Sequence, residues 1–520
     1  MKSIVIRRGL TYGLIILVAY FAFFFDFAKD TTNPDISSSF FTETTYASSG
    51  LITYDEYLRR HSDATDVTQS VAIDLSQCID SGTSATFDGG YKTTEGYYAT
   101  DERGDLVCTV TLPADGFYNI KVAYKVPEGN SSSAERSILI DDVIPFDGAH
   151  IVLFTRVWQN EVEFYKIQGG NEVRPNQVEM DIEQQIYQHE YIADSRKYEL
   201  ESYKFYLENG DDGEVALTFR SIREPLNIQA ITLEIEPDIP TYSEYSAAID
   251  PNDIYSGETI QFEAERIDEE YLSAISKSSP TLYGISDFSS SVTNPYHPYY
   301  IRFNTMGGYN WRVAGDWIEW TVNAPKEGYY YLTMRARQNF NRGLFSSREI
   351  QINGEYPFEE AKSIKFFYDG AFEYYTLGDS EEQYLFHFEE GENTIRLEVT
   401  LGDLGSVIEN VNQSVSILND LYRQCVQIMS VLPDRYIDYD LLDKIPNYLE
   451  TLENEADRLQ SIINELLILN NGNGDQIVVL EKMQILLAQL AEDPEDMKTN
   501  LTLFKNNSAA LSTWVLSATE

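Results

Sequence analysis

An internal repeat limits the fold of this chain more than any other feature of its sequence. LPADGFYNIKVAY at 112–124 aligns with APKEGYYYLTMRA at 324–336 at a constant offset of 212 residues, and the register continues without a gap for more than thirty residues. A second block at 202–219 aligns with 383–399 at an offset of 181, because the first copy has a longer segment at about 155–200. The chain therefore contains one structural unit twice, and we expect the longer segment to be a surface excursion.

The strands within each copy are short, and they alternate apolar with polar residues between Gly, Pro, Asn or Asp turns. In GDWIEWTV at 315–322, Trp317 and Trp320 lie within one alternating strand, so we expect both side chains to pack rather than to bind a ligand. No long helical pattern interrupts either copy. The sequence therefore predicts a mainly β fold with two antiparallel jelly-roll sandwiches, at 66–238 and 256–400.

From about residue 402 the apolar period changes from 2 to 3.6, which predicts an antiparallel helical bundle of three or four helices at 401–520. The first copy ends with the alternating run REPLNIQAITLEIE at 223–236, which is expected to close its sandwich. The second copy has no such run. We therefore expect the bundle to be inserted before the missing last strand of the second sandwich, which either lies beyond residue 520 or is supplied by another chain.

The N-terminus has the composition of an export signal. Lys2, Arg7 and Arg8 precede an uncharged apolar run at 9–25, so residues 1–29 are expected to form a membrane helix that serves as a signal anchor or, alternatively, a cleaved signal peptide. Residues 30–65 follow as an extracellular linker, and 239–255 link the two sandwiches. These features predict a protein on the extracellular face of the cell membrane, anchored or secreted.

Charge and cysteine content limit the partners and the redox chemistry. The 84 acidic and 38 basic residues give a formal net charge of -46, which repels a phosphate backbone and excludes nucleic acid as a partner. Cys78 and Cys108 flank strand-like runs in the same sandwich; they either form a disulfide or remain small buried side chains. Cys425 lies in a helical pattern and is left over.

Catalytic motifs are missing from the sequence. The five histidines are scattered, and the chain has no metalloprotease HExxH, no nucleophile elbow and no phosphate-binding loop. Pairs of carboxylates abound, but in so acidic a chain they do not indicate glycoside hydrolysis. We therefore expect no enzymatic activity.

Parts of the second copy resemble a family of sugar-binding modules. TIQFEAE at 259–265 and GDWIEW at 315–320, with an aromatic-rich loop between them, resemble the family 6 type of carbohydrate-binding module, a galactose-binding-like sandwich. The resemblance implies loop aromatics that stack on sugar rings, polar side chains that bind hydroxyl groups, and a structural Ca²⁺. By position these are the aromatics Tyr309, Trp311 and Phe372, the polar residues Arg302, Asn304 and Asn310, and the calcium pair Glu263 and Glu265.

A wider resemblance covers most of residues 54–520. In this order, YDEYLRRH (54–61), RFNTMGGYNW (302–311), LEVTLGDLG (397–405) and LSTW (511–514) resemble the N-terminal half of large extracellular solute-binding proteins of Gram-positive sugar ABC transporters. In that family two sandwiches and an inserted bundle precede a two-lobed solute-binding domain, for which residues 1–520 show no counterpart. The implied partners are an oligosaccharide or polysaccharide and a transporter permease or solute-binding subunit.

These inferences lead to one main interpretation and two alternatives. The main one is a membrane-tethered, extracellular carbohydrate-binding protein that captures oligosaccharide or glycan by aromatic stacking and is associated with a sugar ABC transport system. The first alternative is a spacer or interaction scaffold for a partner solute-binding domain. The second is a protein associated with glycoside hydrolysis, which requires two close carboxylates in a cleft.

Overall fold

The computed structural model describes residues 50–80, 91–92, 98–100, 102–211, 213–268, 270–379, 382–470, 472 and 477–519. The predicted signal segment at 1–29 and the start of the linker at 30–65 lie outside the described residues. Within the described ranges the chain is mainly β, with several antiparallel sheets and a C-terminal helical bundle, as the sequence predicts.

The first copy contributes sixteen strands within these ranges. They are β1 (Val71–Ala72), β2 (Ile79–Asp80), β3 (Tyr91–Lys92), β4 (Tyr98–Thr100), β5 (Gly104–Val110), β6 (Gly116–Lys125), β7 (Ala134–Ile140), β8 (Val152–Phe154), β9 (Trp158–Asn160), β10 (Tyr165–Lys166), β11 (Glu172–Val173), β12 (Gln177–Glu179), β13 (Gln188–Tyr191), β14 (Lys204–Leu207), β15 (Val215–Arg223) and β16 (Leu226–Glu234). One sheet has the order β13-β6-β16-β4-β3, with β1 beside β16 and β14 beside β6, and the facing sheet has the order β2-β5-β15-β7-β8. Their inward side chains form one buried core.

The second copy contributes eleven strands to the described part of the chain. They are β17 (Leu272–Lys277), β18 (Gly284–Ile285), β19 (Thr305–Met306), β20 (Trp317–Ala324), β21 (Gly328–Tyr331), β22 (Thr333–Ala336), β23 (Phe345–Ile352), β24 (Ile364–Phe367), β25 (Glu373–Thr376), β26 (Leu385–Phe388) and β27 (Gly391–Thr400). One sheet has the order β12-β9-β17-β20-β27-β23-β24. The two-stranded ribbons β21-β26 and β22-β25 supply side chains to the same core.

The longer segment of the first copy differs from its predicted role as a surface excursion. Its strands β9 and β12 extend the large sheet of the second sandwich, where Trp158 pairs with Lys277. The Lys277 ammonium also donates to Asn160 Oδ1 at 2.9 Å. The two sandwiches are therefore joined by a continuous sheet. Strands of three residues are too short to give a clear alternating pattern, which is why the sequence did not indicate this role.

Both tryptophans of the GDWIEW strand pack, as predicted. Trp320 lies in the second core and donates from Nε1 to the Ala264 carbonyl at 2.7 Å. Trp317 points from the opposite face toward the first sandwich, where Nε1 donates to Thr155 Oγ1 at 3.3 Å. The Arg396 guanidinium lies 4.1 Å from the Trp317 ring centroid. The strand therefore connects the second core with the junction between the sandwiches.

Seven α-helices lie in the described ranges. They are α1 (Tyr54–Arg60), α2 (Tyr242–Ala247), α3 (Leu404–Met429), α4 (Leu441–Lys444), α5 (Tyr448–Leu469), α6 (Val478–Glu492) and α7 (Met497–Ala518). None of them is long and apolar enough to cross a membrane.

Helices α1 and α2 are equivalent parts of the two copies, although both lie in segments predicted to be linkers. Each carries the pattern Tyr-x-Glu-Tyr, at 54–57 and 242–245. The Tyr54 hydroxyl accepts a hydrogen bond from the backbone N–H of Lys204 at 2.8 Å, and the Tyr242 hydroxyl accepts one from Leu385 N–H at 3.0 Å. Each helix therefore covers the outer edge of one strand, β14 or β26, and protects it from unwanted pairing.

The bundle consists of α3, α5, α6 and α7, with the short α4, and confirms the predicted helical region. The side chain of Asn470, at the end of α5, donates to the Gly343 carbonyl of the second sandwich. At the opposite end, Tyr448 Oη donates to the Pro494 carbonyl at 3.2 Å. Helix α7 starts at that distant end, so its 22 residues return the chain to the sandwich side, where α3 begins.

The cysteine question, which the sequence left open, has a definite answer in the structure. Cys78 and Cys108 form a disulfide that ties a short turn to β5 in the first sandwich. Cys425 is free and buried in the bundle, and burial raises the pKa of its thiol to about 12, which makes it unreactive.

Candidate functional site

Three loops of the second sandwich lie at the same end of the molecule. Strands β20 and β23 both run antiparallel to β27, so the loop before β20 and the loop before β23 meet at one edge of the sheet. Strand β25 pairs antiparallel with β22, which brings residues 369–372 to the loop at 337–344. Their contact is direct, since Asp369 N–H donates to the Gln338 carbonyl at 2.7 Å.

Two exposed aromatic rings stand next to each other on these loops. Tyr309 lies in the tight turn Gly308–Asn310 and is 51% exposed, while Phe340 is 63% exposed. Their ring centroids are 5.1 Å apart with an interplanar angle of 55°. The Arg312 guanidinium lies 4.2 Å from the Tyr309 centroid. Together the three side chains form an open aromatic surface edged by hydrogen-bond donors.

Phe372 lies on the neighbouring loop with a second arginine. The Arg337 guanidinium is 4.4 Å from the Phe372 centroid and forms an ion pair of 2.5 Å with Asp287. Arg337 also donates to Ser289 Oγ at 2.7 Å. Burial alone would raise the pKa of Asp287, but hydrogen bonds from Ser289 and the Arg337 charge hold it below its usual value. We call Tyr309, Arg312, Arg337, Phe340 and Phe372 the aromatic loop cluster.

The structure places Trp311 in the wall behind this cluster. The indole is half-buried, and its Nε1 donates to the Asp316 carbonyl at 3.0 Å. Its ring meets Trp320 at 6.3 Å and the Arg348 guanidinium at 4.8 Å. Burial raises the pKa of the Asp316 carboxyl to about 6. Asn310 is half-buried in the same turn, beside Tyr309.

The other two polar candidates lie apart from the cluster's exposed face. Asn304 is buried, donating to the Asp287 carbonyl at 3.0 Å and to Thr293 Oγ1 at 2.9 Å, and accepting from Asp287 N–H at 2.8 Å. It thus holds the loop that carries Asp287. Arg302 faces the inserted segment of the first copy, where it donates to the Gly170 carbonyl at 2.6 Å.

The predicted calcium pair lies in a basic environment. Glu263 accepts a hydrogen bond from Asn294 Nδ2 at 2.7 Å and lies 4.0 Å from Arg335. Glu265 Oε1 is buried without a hydrogen-bond donor, 3.6 Å from Arg266 Nε, and burial raises the pKa of Glu265 to about 8.

Calcium requires six to eight oxygen ligands. In the part of the chain that the structure describes, no group of three or more His, Cys, Asp or Glu side chains is arranged to hold a metal ion. The arginines beside Glu263 and Glu265 also oppose a dication, so these two residues do not fit a calcium site.

The sequence predicted two of the five members of the cluster, Tyr309 and Phe372, and missed Phe340, Arg312 and Arg337. Phe340 lies in QNFNRG at 338–343, which belongs to no motif. The signal that was available is topological: in a jelly roll, the loop before β23 lies at the same end as the loop before β20, so its exposed aromatic residue belongs with Tyr309.

Comparison with known proteins yields one family match. Residues 406–516, which cover most of the four long helices, match the model of the bacterial solute-binding protein 4-helix bundle domain. No curated protein matches the chain.

Among solved structures, the chain is similar to a family 35 carbohydrate binding module from Clostridium thermocellum, at 22% identity and a TM-score of 0.17, over 23% of this chain and 78% of that one. It is also similar to the GH26-CBM35 β-(1,4)-mannanase of Podospora anserina, at 10% identity and a TM-score of 0.18, over 35% of this chain and 32% of that one. For a Paenibacillus xanthan lyase the identity is 10%, the TM-score 0.17, and the coverage 64% of this chain and 25% of that one. The chain thus spans a third or less of these two enzymes.

Proposed function

We propose that this chain is an extracellular carbohydrate-binding protein that captures oligosaccharide or glycan on the aromatic loop cluster, as part of a sugar ABC transport system. The observation that carries this proposal is the exposed Tyr309 and Phe340 pair, 5.1 Å apart, beside Arg312. A sugar ring has an apolar face of C–H groups and hydroxyl groups around its edge. Aromatic rings match the face, and arginine donors match the edge.

The rigidity of the loops favours binding, because an ordered site loses little entropy when ligand arrives. Asp287 and Ser289 hold Arg337 against Phe372. Gln338 connects the loop of Phe340 to that of Phe372. The second sandwich is thus proposed to serve as a sugar-binding module of the family 6 type.

The place of this function in transport is supported by the bundle. Residues 406–516 match a domain of bacterial solute-binding proteins, and the Cys78–Cys108 disulfide fits an oxidising compartment outside the cytoplasm. We propose that residues 1–29 anchor or export the chain, and that its partners are a permease or a solute-binding subunit. We further propose that the chain binds sugar without cleaving it.

A glycan array with the purified chain tests the proposal. We expect selective binding with millimolar to micromolar affinity, roughly -4 to -8 kcal/mol. The double variant Tyr309→Ala/Phe340→Ala should weaken binding by about 10- to 100-fold, since each stacking contact contributes about 0.5–1.5 kcal/mol beyond its buried area. Tyr436→Ala, which removes a fully exposed ring from the bundle, is the matched control and should bind as the wild type does.

Two outcomes contradict the proposal. If a well-folded protein binds no glycan, the spacer or scaffold alternative is favoured. If the double variant binds as tightly as the wild type, the site lies elsewhere. Chelation of divalent cations is expected to leave the affinity unchanged, because Glu263 and Glu265 lie beside Arg335 and Arg266. Release of reducing sugar from any bound polysaccharide would contradict a purely binding role.

A further inference from the structure

Equivalent strands of the two sandwiches differ in the number of their neighbours. In the first sandwich, β6 pairs with β13 and β14 on one side and with β16 on the other. Its equivalents in the second sandwich, β21 and β22, pair with β26 and β25. Among the described residues, neither has a strand on its other side.

The direction of the backbone groups identifies the edge that lacks a neighbour. The Leu332 carbonyl accepts a hydrogen bond from Leu377 N–H, on the side of β25. Since backbone groups alternate in direction along a strand, those of Tyr331, Thr333 and Arg335 point the other way. We call these three residues the open edge. Their equivalents in β6 are Asn119, Lys121 and Ala123, which face β16.

The core behind the open edge is less completely covered than its counterpart. In β6 the inward residues Ile120, Val122 and Tyr124 are each 0% exposed. Their equivalents Leu332, Met334 and Ala336 are only partly buried. The residues that complete the first core come from β16, where Ile228, Ile231 and Leu233 are also 0% exposed. The second core therefore lacks the apolar contribution that one strand makes in the first.

A buried arginine gives independent evidence for the same missing element. In the first sandwich, Arg136 donates to the carbonyls of Arg223 and Glu224, in the turn that leads into β16, at 3.1 and 3.0 Å. Its equivalent, Arg348, donates to the carbonyl groups of Ser347 and Trp311. Burial lowers the pKa of Arg348 to about 10. The second sandwich thus keeps the arginine but not the turn that it binds in the first.

The chain leaves the sandwich at the place where this turn would lead into a strand. Ser221 faces Arg136 in the first ladder, and Val399 faces Arg348 in the second. Counting five residues onward from each brings the first copy to Leu226, where β16 begins, and the second to Leu404, where α3 begins. Helix α7 then returns to the sandwich side of the bundle, so its end near Ala518 lies on the side where the closing strand is missing.

We propose that the open edge binds an extended polypeptide strand that repeats the chemistry of β16 and is joined to the end of α7. Apolar side chains at alternate positions would cover Leu332, Met334 and Ala336. Carboxylate or hydroxyl side chains on the outer face suit Arg335, as Glu234 of β16 lies 3.9 Å from Lys121 in the first sandwich. The carbonyl groups of the preceding turn would accept hydrogen bonds from Arg348. A glycan lacks the evenly spaced backbone donors and acceptors that this edge pairs with.

The test is to append REPLNIQAITLEIE, the sequence of 223–236, to the C-terminus through a short Gly/Ser linker. We expect a higher melting temperature and at least tenfold slower amide hydrogen exchange at Thr333 and Arg335. The matched control carries Ile231→Pro in the appended segment alone, which removes a ladder hydrogen bond and should abolish both effects. Leu332 and Met334, which face β25, serve as internal references with unchanged exchange.

A cysteine pair provides a second measurement that does not depend on stability. Lys121 faces Thr232 in the first sandwich, so Thr333→Cys should form a disulfide with Thr232→Cys of the appended segment under mild oxidation. Failure of the appended segment to slow exchange or to crosslink would overturn the proposal. Protection by the free peptide but not by the appended one would overturn the assignment to the end of α7 and show that another molecule supplies the strand.

Discussion

The two sandwiches descend from one sequence pattern but differ in how completely that pattern is closed. The first has strands on both sides of β6, a disulfide and a fully buried core around Ile120 and Val122. The second has ribbons with partners on one side only and carries the aromatic loop cluster. The comparison teaches that a repeated unit can keep its core pattern while one copy becomes structural support and the other presents its loops and an edge for binding.

The junctions around the first sandwich also differ in their electrostatics. Toward the second sandwich, buried charges are paired: Arg396 binds Glu319 at 3.0 Å, and Lys197 binds Glu398 at 2.8 Å. Toward the bundle, carboxyl groups face one another. Burial together with the charges of Glu199, Asp55 and Asp194 raises the pKa of Glu409 to about 8. The first contact is therefore expected to persist over a wide pH range, while the second weakens as carboxyl groups ionise.

The largest effect is expected from the buried arginines. Arg136→Leu should lower the free energy of unfolding by about 3 to 5 kcal/mol, because it leaves buried carbonyl groups without a donor. Arg348→Leu should lower it by about 1 to 2 kcal/mol, because Arg348 is less buried and does not bind the missing turn. Chemical denaturation compares the two variants, with exposed Arg423→Leu as the control. Equal losses would contradict the difference between the copies.

An intermediate effect is expected from pH at the contact between the first sandwich and the bundle. A carboxyl group whose pKa is raised on folding from 4.5 to about 8 stabilises the fold below pH 4.5 and loses that contribution as the pH rises through 8. Glu409→Gln should therefore leave stability almost unchanged at pH 5 and increase it by about 1 to 3 kcal/mol at pH 9.

Melting temperatures in matched buffers at pH 5 and pH 9 measure this difference. Exposed Glu453→Gln is the control and should change neither value. A Glu409→Gln variant that is equally stabilised at both pH values would show that the effect does not come from ionisation.

The smallest effect is expected where the two copies are alike. Tyr54→Phe and Tyr242→Phe each remove one hydroxyl that accepts a backbone hydrogen bond, from Lys204 or from Leu385. Each variant should lose about 1 kcal/mol of stability. Thermal unfolding of the pair tests whether the helix cap is equivalent in both sandwiches; a loss confined to one of them would limit the repeat to its strands.

The sequence predicted the parts of the fold that repeat or that have a long apolar period. The offset of 212 residues located both sandwiches, and the change of period located the bundle, because both signals extend over many residues. It did not predict that α1 and α2 cover strand edges, since Tyr-x-Glu-Tyr is too short a match to stand out. Nor did it predict that β9 and β12 join the sandwiches, because such short strands take their position from tertiary contacts.

The binding site was less predictable than the fold. Tyr309 was predicted because aromatic residues crowd its loop, but nothing in the sequence separates it from Trp311, whose indole is held by the Asp316 carbonyl and Arg348. Asn304 belongs to the framework because its amide is fully used in local hydrogen bonds. Such distinctions depend on partners distant in sequence, which a pattern of residue types does not specify.

The most direct test of the difference between the sandwiches is amide hydrogen exchange in the chain itself, measured at equivalent positions of the two copies. After correction for intrinsic rates, we predict that Lys121 and Ala123, which face β16, exchange at least 100-fold more slowly than Thr333 and Arg335 at the open edge. Leu332 and Met334 should be protected by β25. Equal protection at the two pairs of positions would show that the second sandwich is already closed and would contradict the account.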